Sequence, residues 1–304
     1  MPVTLRSSRN IFCLTIVAVL SACGPAPSPS SKIQAVGAEN FYADVISQIG
    51  GSHVDVRSVL SNPNTDPHTY ESNTTDASAV GSADLIVQNG MGYDAFMQKL
   101  EAASPRAQRV VIDVATVFGR HAGENPHLWY LPDTMPKIAG LLAARFEKLD
   151  PTHAREYESN RARFVASLKP WTRAIESAKR SYSKTPVAVT EPVFNYVTTA
   201  MGLDVRTPLS FQLAVEEGND PAPQDVATVR GLLSDRSVKA FIYNQQTVEP
   251  TTARLLDLAR KNALPIVGVY ETMPKGLHYQ QWMKAEVDAL TAALKSGKST
   301  EQIH

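Results

Sequence analysis

Thr152 to Tyr182 contains no glycine, places its apolar residues at helical spacing among charged ones, and is interrupted only by Pro170. A helical run of about thirty residues at 1.5 Å per residue spans roughly 45 Å, longer than one ordinary domain needs. Proline removes an amide donor and crowds the preceding turn, so a kink or break is expected at Pro170. The run reads as a connector over residues 150–182. It divides the chain into an N-terminal half, 32–149, and a C-terminal half, 183–304.

Both halves alternate short apolar runs with helix-period segments. In the first, strand-like runs at Ile33–Gly37, Val54–Val59, Leu85–Val87 and Arg109–Val114 are separated by helical patterns at Asn40–Ile49, Thr75–Val80 and Tyr93–Ala103, and Pro132–Leu149 closes the half. In the second, strands are expected at Pro186–Val189, Val238–Tyr243 and Pro265–Tyr270. Helices are expected at Val193–Met201, from an opening Pro221-Ala222-Pro223 to about Leu233, at Pro250–Lys261 and at Tyr279–Leu294. Alternation of this kind predicts an α/β fold of two lobes, each a parallel sheet flanked by helices, joined by a long connecting helix.

The N-terminus has a different character. Arg6 and Arg9 precede an uncharged ten-residue run, Ile11–Leu20, too short to span a bilayer as a mature helix. Leu20-Ser21-Ala22-Cys23 follows, resembling the lipobox of bacterial lipoproteins. In those proteins cleavage falls before the cysteine, which then carries the lipid. Residues 1–22 are therefore expected to be a lipoprotein signal peptide. Residues 23–31, rich in proline and serine, form a flexible tether behind a lipid on Cys23. Cys13 leaves with the signal, and a single acylated cysteine forms no disulfide. Loss of Arg6 and Arg9 leaves 28 basic against 30 acidic residues. That balance, without a basic stripe, excludes a nucleic-acid partner. The expected location is extracytoplasmic, on a bacterial membrane, in the periplasm or at the cell surface.

In parallel α/β sheets ligands bind beyond the carboxyl ends of strands. Four candidates occupy such loops: His68 after Val54–Val59, His127 after Arg109–Val114, Glu191 after Val187–Thr190, and Glu271 after Ile266–Tyr270. Each half supplies two. His68 lies in Asn62-Pro63-Asn64-Thr65-Asp66-Pro67-His68-Thr69-Tyr70-Glu71, and His127 in the matching tripeptide Asn125-Pro126-His127. A single Pro-His pair is an ordinary surface turn. Two matched pairs in β-to-α loops point to shared work. Imidazole and carboxylate ligands suit zinc, manganese and iron. Glu191 and Glu271 have a second reading, as helix-start carboxylates favoured by the helix dipole. Glu71 is a candidate to orient His68, because metal-bound imidazoles donate their other N–H to an oxygen. His53, His121, His153, His278 and His304 read as surface histidines. Gly297-Lys298-Ser299-Thr300 mimics the end of a phosphate loop. Ala292 stands where its first glycine is needed, and only four residues follow.

From Lys32 to about Lys298 the chain resembles the solute-binding lipoproteins of manganese/zinc ABC importers, the cluster A-I type. Asp66-Pro67-His68-Thr69-Tyr70-Glu71 matches that family's first-ligand motif and Asn125-Pro126-His127-Leu128-Trp129 the second. Glu191, followed by Phe194 and Tyr196, falls where manganese-type members carry a glutamate and zinc-type members a third histidine. The resemblance implies a metal site of His68, His127, Glu191 and Glu271 in a cleft between lobes, with Glu71 behind it. The cargo would be Zn2+ or Mn2+, with Fe2+ as the alternative, held by a monomer and delivered to a membrane permease driven by an ATPase. The chain departs from the family at Glu271, where an aspartate is usual, at Tyr130-Leu131-Pro132, where an acidic residue usually precedes the proline, and at Asn244, where a glutamate is frequent. The long His-rich loop of many zinc-type members is reduced to Gly119-Arg120-His121-Ala122-Gly123. Two rival readings use the same residues: a zinc-dependent hydrolase and a metal-stabilised surface adhesin. The chain lacks a His-Glu-x-x-His helix, and the expectation is of a carrier rather than an enzyme.

Overall fold

The computed structural model describes residues 1–4, 32–62, 65 and 70–303. Residues 5–22 of the expected signal peptide, the tether and Cys23 lie outside these residues, as does His68. Residues from Lys32 onward form one compact unit.

The first half runs β1 (Ile33–Glu39), α1 (Asn40–Gly50), β2 (Val54–Leu60), α2 (Thr74–Ser82), β3 (Leu85–Gln88), α3 (Ala95–Ala103), β4 (Val110–Asp113), the short α4 (Val114–Phe118) and α5 (Thr134–Leu149). Its strands form a parallel sheet in the order β2-β1-β3-β4. Helix starts are chemically marked. Asn73 accepts the amides of Thr75 and Asp76 at the head of α2 while the Asp76 carboxylate accepts the amide of Asn73, a reciprocal capping box. Asp113 caps α4 through the amide of Thr116.

The segment read as one connecting helix forms two. They are α6 (Ala154–Ser167) and α7 (Lys169–Tyr182), with Leu168 between them and Pro170 in the first turn of α7. Proline tolerates a first turn, where its missing N–H has no helical partner. The break therefore falls just before it. Helix α6 packs on α1 and α5 of the first half, and α7 lies against helices of the second.

The second half runs β5 (Pro186–Val189), α8 (Asn195–Ala200), β6 (Asp204–Val205), α9 (Leu209–Glu216), α10 (Pro223–Ser234), β7 (Phe241–Asn244), α11 (Pro250–Lys261), β8 (Ile266–Val269) and α12 (Tyr279–Ser296). Its sheet is parallel in the order β6-β5-β7-β8, the arrangement of the first sheet again. The two-residue β6 and the helix α9 have no counterpart in the sequence reading. The phosphate-loop mimic instead ends α12 at Gly297, and Thr300 pairs with Val267 of β8.

Alternation along the strands explains how the halves are joined. Successive side chains of a strand point to opposite faces. Ile33, Ala35, Leu85 and Val87 of the first sheet face one central core, and Val187, Val189, Ile242, Val267 and Val269 of the second face the same core. The alternate residues enter separate outer cores: Val36, Ala38 and Ile86 in one, Ala188, Phe241, Tyr243 and Ile266 in the other. Aromatic rings fill the centre. Phe41 lies 4.7 Å from Trp129, and Tyr130 meets Trp282 at 5.6 Å and Phe194 at 5.1 Å. Gly37 permits α1 to close on β1, since a Cβ there would stand 2.4 Å from the amide nitrogen of Ala43.

Candidate metal centre

The inward faces of β1, β3, β5, β7 and β8 are apolar or glycine along the strand, and the inward position at or just past the strand's end is polar. Continuing from Val189 gives Glu191, from Ile242 gives Asn244, and from Val269 gives Glu271. On the first sheet, Ile33, Ala35 and Gly37 lead to Glu39, and Leu85 and Val87 lead to Asn89. All five are buried. They gather at the carboxyl ends of both sheets, where the connections leaving β1 and β3, and those leaving β5 and β7, run to opposite sides, the switch point at which such sheets bind ligands.

His127 closes this space from the loop after α4 and is fully buried. Its position is set by Asn125. The Asn125 side-chain oxygen accepts the backbone amide of His127 at 3.0 Å and its Nδ1–H at 2.6 Å. Asn125 is itself held by the second half, donating to the Pro192 carbonyl at 2.8 Å while its own carbonyl accepts the Tyr196 hydroxyl at 2.9 Å. With Nδ1 committed as a donor, Nε2 carries the lone pair. Nε2 points at two carboxylates, 3.7 Å from Glu216 Oε1 and 3.7 Å from Glu271 Oε2. That is too long for a hydrogen bond. It is near the ~3.4 Å separation of two donors sharing one ion with bonds of about 2.0–2.2 Å.

Asn244 fixes the carboxylates from below. Strand β7 lies between β5 and β8, so one side chain at its end reaches both neighbours. The Asn244 amide donates to Glu191 Oε2 at 2.9 Å and to Glu271 Oε1 at 2.5 Å. A glutamate here would add a third negative charge in place of two donors, so the asparagine suits the extra carboxylate reach of Glu271. Glu271 also accepts the Tyr93 hydroxyl at 3.2 Å. The Gln246 side-chain oxygen takes the backbone amides of Glu271 and Thr272, locking the loop.

Behind the site lies an acidic layer on the first sheet. Burial, then the charge of Asp94, pushes the Glu39 carboxyl well above its ordinary range. Burial pushes Asp94 up to about 7, against hydrogen bonds from the Gly90 and Asn89 amides that lower it. Ionisation of carboxyls gathered in a buried space is costly, and a cation among them offsets that cost.

Of the sequence candidates, the structure brings His127, Glu191 and Glu271 to one place. His68 lies outside the described residues; its loop leaves β2 at Leu60, paired with Glu39 on the site-bearing edge. Glu71 is exposed, and its relation to His68 also lies outside what is described. His121 is exposed on its loop. Sequence reasoning missed Glu216, the last residue of α9, because no strand leads into it. It missed the bridging role of Asn244, although the alternation of inward positions marks that residue.

A family model described as zinc-uptake complex component A, periplasmic (ZnuA), matches residues 36–293. Among curated proteins, the metal ABC transporter substrate-binding lipoprotein SsaB of Streptococcus sanguinis is 27% identical over 304 residues, covering 92% of this chain and 96% of that protein. The manganese-binding lipoprotein MntA of Bacillus subtilis is 23% identical over 298 residues, covering 91% and 95%. Among solved structures, the periplasmic zinc-binding protein TroA of Treponema pallidum is similar with a TM-score of 0.72 at 20% identity, over 86% of this chain and 99% of that one. At that identity the likeness is one of fold.

Proposed function

The chain belongs to the family of the periplasmic zinc-uptake complex component A, and on that premise we propose that it captures a divalent transition-metal ion between its two sheets and delivers it to an ABC importer. The observation that carries this reading is the orientation of His127: a buried imidazole, its tautomer set by Asn125, presenting Nε2 to two carboxylate oxygens at 3.7 Å each. The proposed ligands are His68, His127, Glu191 and Glu271, with Glu216 as an additional carboxylate at the same imidazole. The first half, 32–149, contributes the histidines and the second, 183–304, the carboxylates, with 150–182 connecting them.

Zinc or manganese is the proposed cargo, with ferrous iron the alternative. The relatives support both leading metals, since MntA is named for manganese and TroA for zinc. Carboxylates suit manganese, while zinc binds a given nitrogen and oxygen site more tightly. On this reading the chain is a carrier and not an enzyme, acting as a monomer beside a permease and its ATPase. A lipid on Cys23 would hold it outside the cytoplasmic membrane. Among the described residues no helix is long and apolar enough to cross a membrane.

Elemental analysis of protein purified without chelators, followed by competition titration with zinc and manganese, tests the reading. One tightly held ion per chain is expected, lost in His127→Ala. A His127→Ala protein that keeps the tight ion overturns it. Deletion of the gene is expected to lower cellular metal and slow growth under metal starvation. Metal-loaded protein is expected to hydrolyse no ester, peptide or phosphate substrate.

A further inference from the structure

The geometry points to a second transition-metal site, built from His53, His153 and Asp150 with Glu156 beside it, at the end of the first sheet remote from the centre described above. Two short turns create it. Gly51–His53 forms a single helical turn between α1 and β2, and Pro151–His153 forms another at the head of α6. One hundred residues apart in sequence, the two turns place their last residues face to face. The imidazoles stack with centroids 3.6 Å apart and planes 18° from parallel. Nitrogen atoms of both rings and a carboxylate oxygen of Asp150 lie within 4.8 Å of one another. Asp150 Oδ2 is 2.6 Å from His153 Nδ1, and Glu156 Oε2 is 2.9 Å from His53 Nε2.

The scaffold beneath these side chains is fixed. The buried Tyr157 donates its hydroxyl to Asp150 at 2.8 Å. Asn160 of α6 donates to the carbonyl of Ile49 at 2.9 Å, tying α6 to the end of α1. The ring nitrogens remain reachable, since the side chains of His53 and His153 are 23% and 32% exposed. An ion bound at about 2.0–2.1 Å holds its donors ~3.0–3.5 Å apart, so the three donors need to close by about an ångström, a movement that half-exposed side chains can make. Two imidazoles and carboxylates select borderline divalent ions such as Zn2+, Ni2+ and Cu2+ over Ca2+ or Mg2+.

The site is separate from the first. His53 immediately precedes Val54, the first residue of β2, whereas the other centre lies beyond Leu60 at the strand's far end. Seven strand residues at about 3.3 Å each put roughly 20 Å between them. A bound ion would join the turn before β2 to the head of the connecting helices, bracing the first half against the connector.

Zinc alone, titrated against a chelating indicator, is the probe. The unaltered chain is expected to take two equivalents, the second ~tenfold or more weaker than the first. His53→Ala combined with His153→Ala is expected to lose the weaker equivalent and keep the tight one, and His127→Ala to do the reverse. Saturation of the unaltered chain at one equivalent, or survival of the second equivalent in the double variant, overturns the proposal. Crystals of the unaltered protein soaked in zinc give an independent reading. An anomalous peak at the nitrogen edges of the two imidazoles, beside Asp150, is expected, and its absence at saturating zinc overturns the site whatever the variants do. Loss of only the tight equivalent in the double variant overturns the proposal too, and retention of the tight equivalent in His127→Ala counts against the first centre alone.

Discussion

His127 and Asn125 are joined by a 2.6 Å hydrogen bond from the imidazole Nδ1 to the side-chain oxygen two residues earlier. The bond spends one ring nitrogen so that the other is a ligand. Asn125→Ala removes it and leaves the ring free to take the wrong tautomer. Metal affinity is expected to fall about 10–100-fold, the usual effect of losing such a supporting group. Asn125→Asp, which keeps an acceptor, is expected to lose much less. Competition titration of both variants checks the contrast.

Glu216 tests whether a helix end takes part in the centre. Its Oε1 is 3.7 Å from His127 Nε2 and its side chain is 8% exposed. Glu216→Gln keeps the shape and removes the charge. A loss of affinity of tenfold or more, ~1.4 kcal/mol, is expected, larger for manganese than for zinc because manganese relies more on carboxylate oxygen. Unchanged affinity for both ions would show that Glu216 only lines the cavity.

Asn244→Asp exchanges two donated hydrogen bonds for a charge between Glu191 and Glu271. The metal-free protein is expected to lose about 2 kcal/mol, the scale of a buried hydrogen bond to a charged group. Metal should restore more stability to this variant than to the unaltered chain, because the ion neutralises the added repulsion. Urea unfolding with and without zinc measures both quantities.

Glu286 predicts a pH dependence. It is buried beneath Tyr270, with Oε1 accepting the Tyr270 amide at 3.0 Å and the Trp282 indole N–H at 2.8 Å. The Tyr130 hydroxyl lies 2.6 Å from the Tyr270 carbonyl and 2.7 Å from Glu286 Oε2. The single hydroxyl proton is thus offered to the Tyr270 carbonyl or to the Glu286 carboxyl. Burial pushes this carboxyl from 4.5 up to about 8, against hydrogen bonds from Tyr130, Trp282 and the Tyr270 amide that lower it. The folded state thus binds a proton that the unfolded state releases between those values. This contribution is complete below about 4.5 and is lost as pH rises towards 8, with a slope approaching about 1.4 kcal/mol per pH unit. Glu286→Gln, which preserves donor and acceptor, is expected to remove that slope. Urea midpoints at pH 6 and pH 8.5 check it: the unaltered chain should lose stability between them and the variant should lose less.

The strands and most helices were legible because their cause is local. Period-2 alternation names the inward face of Ile33–Glu39 or Ile266–Val269, proline marks the starts of α10 and α11, and Pro170 marks the break before α7. The same alternation leads two residues past β5 and β8 to Glu191 and Glu271, and to the last residues of β1 and β7, Glu39 and Asn244. Helix α9 was not legible. It is short, and its buried face, Phe211, Gln212 and Val215, includes a polar residue held by Asn195 and the Thr207 carbonyl.

By itself the sequence determined two parallel α/β halves, the loops that carry His127, Glu191 and Glu271, and the chemistry those side chains offer. Those properties follow from steric period, turn residues and ligand type, each set within a few neighbours along the chain. Only the tertiary structure decided which groups meet: Glu216 with His127, Asn244 with both glutamates, and His53 with His153. These pairs are separated by 89, 53, 27 and 100 positions. Their meeting depends on strand order and on the packing of both sheets against one central core, which no local pattern specifies.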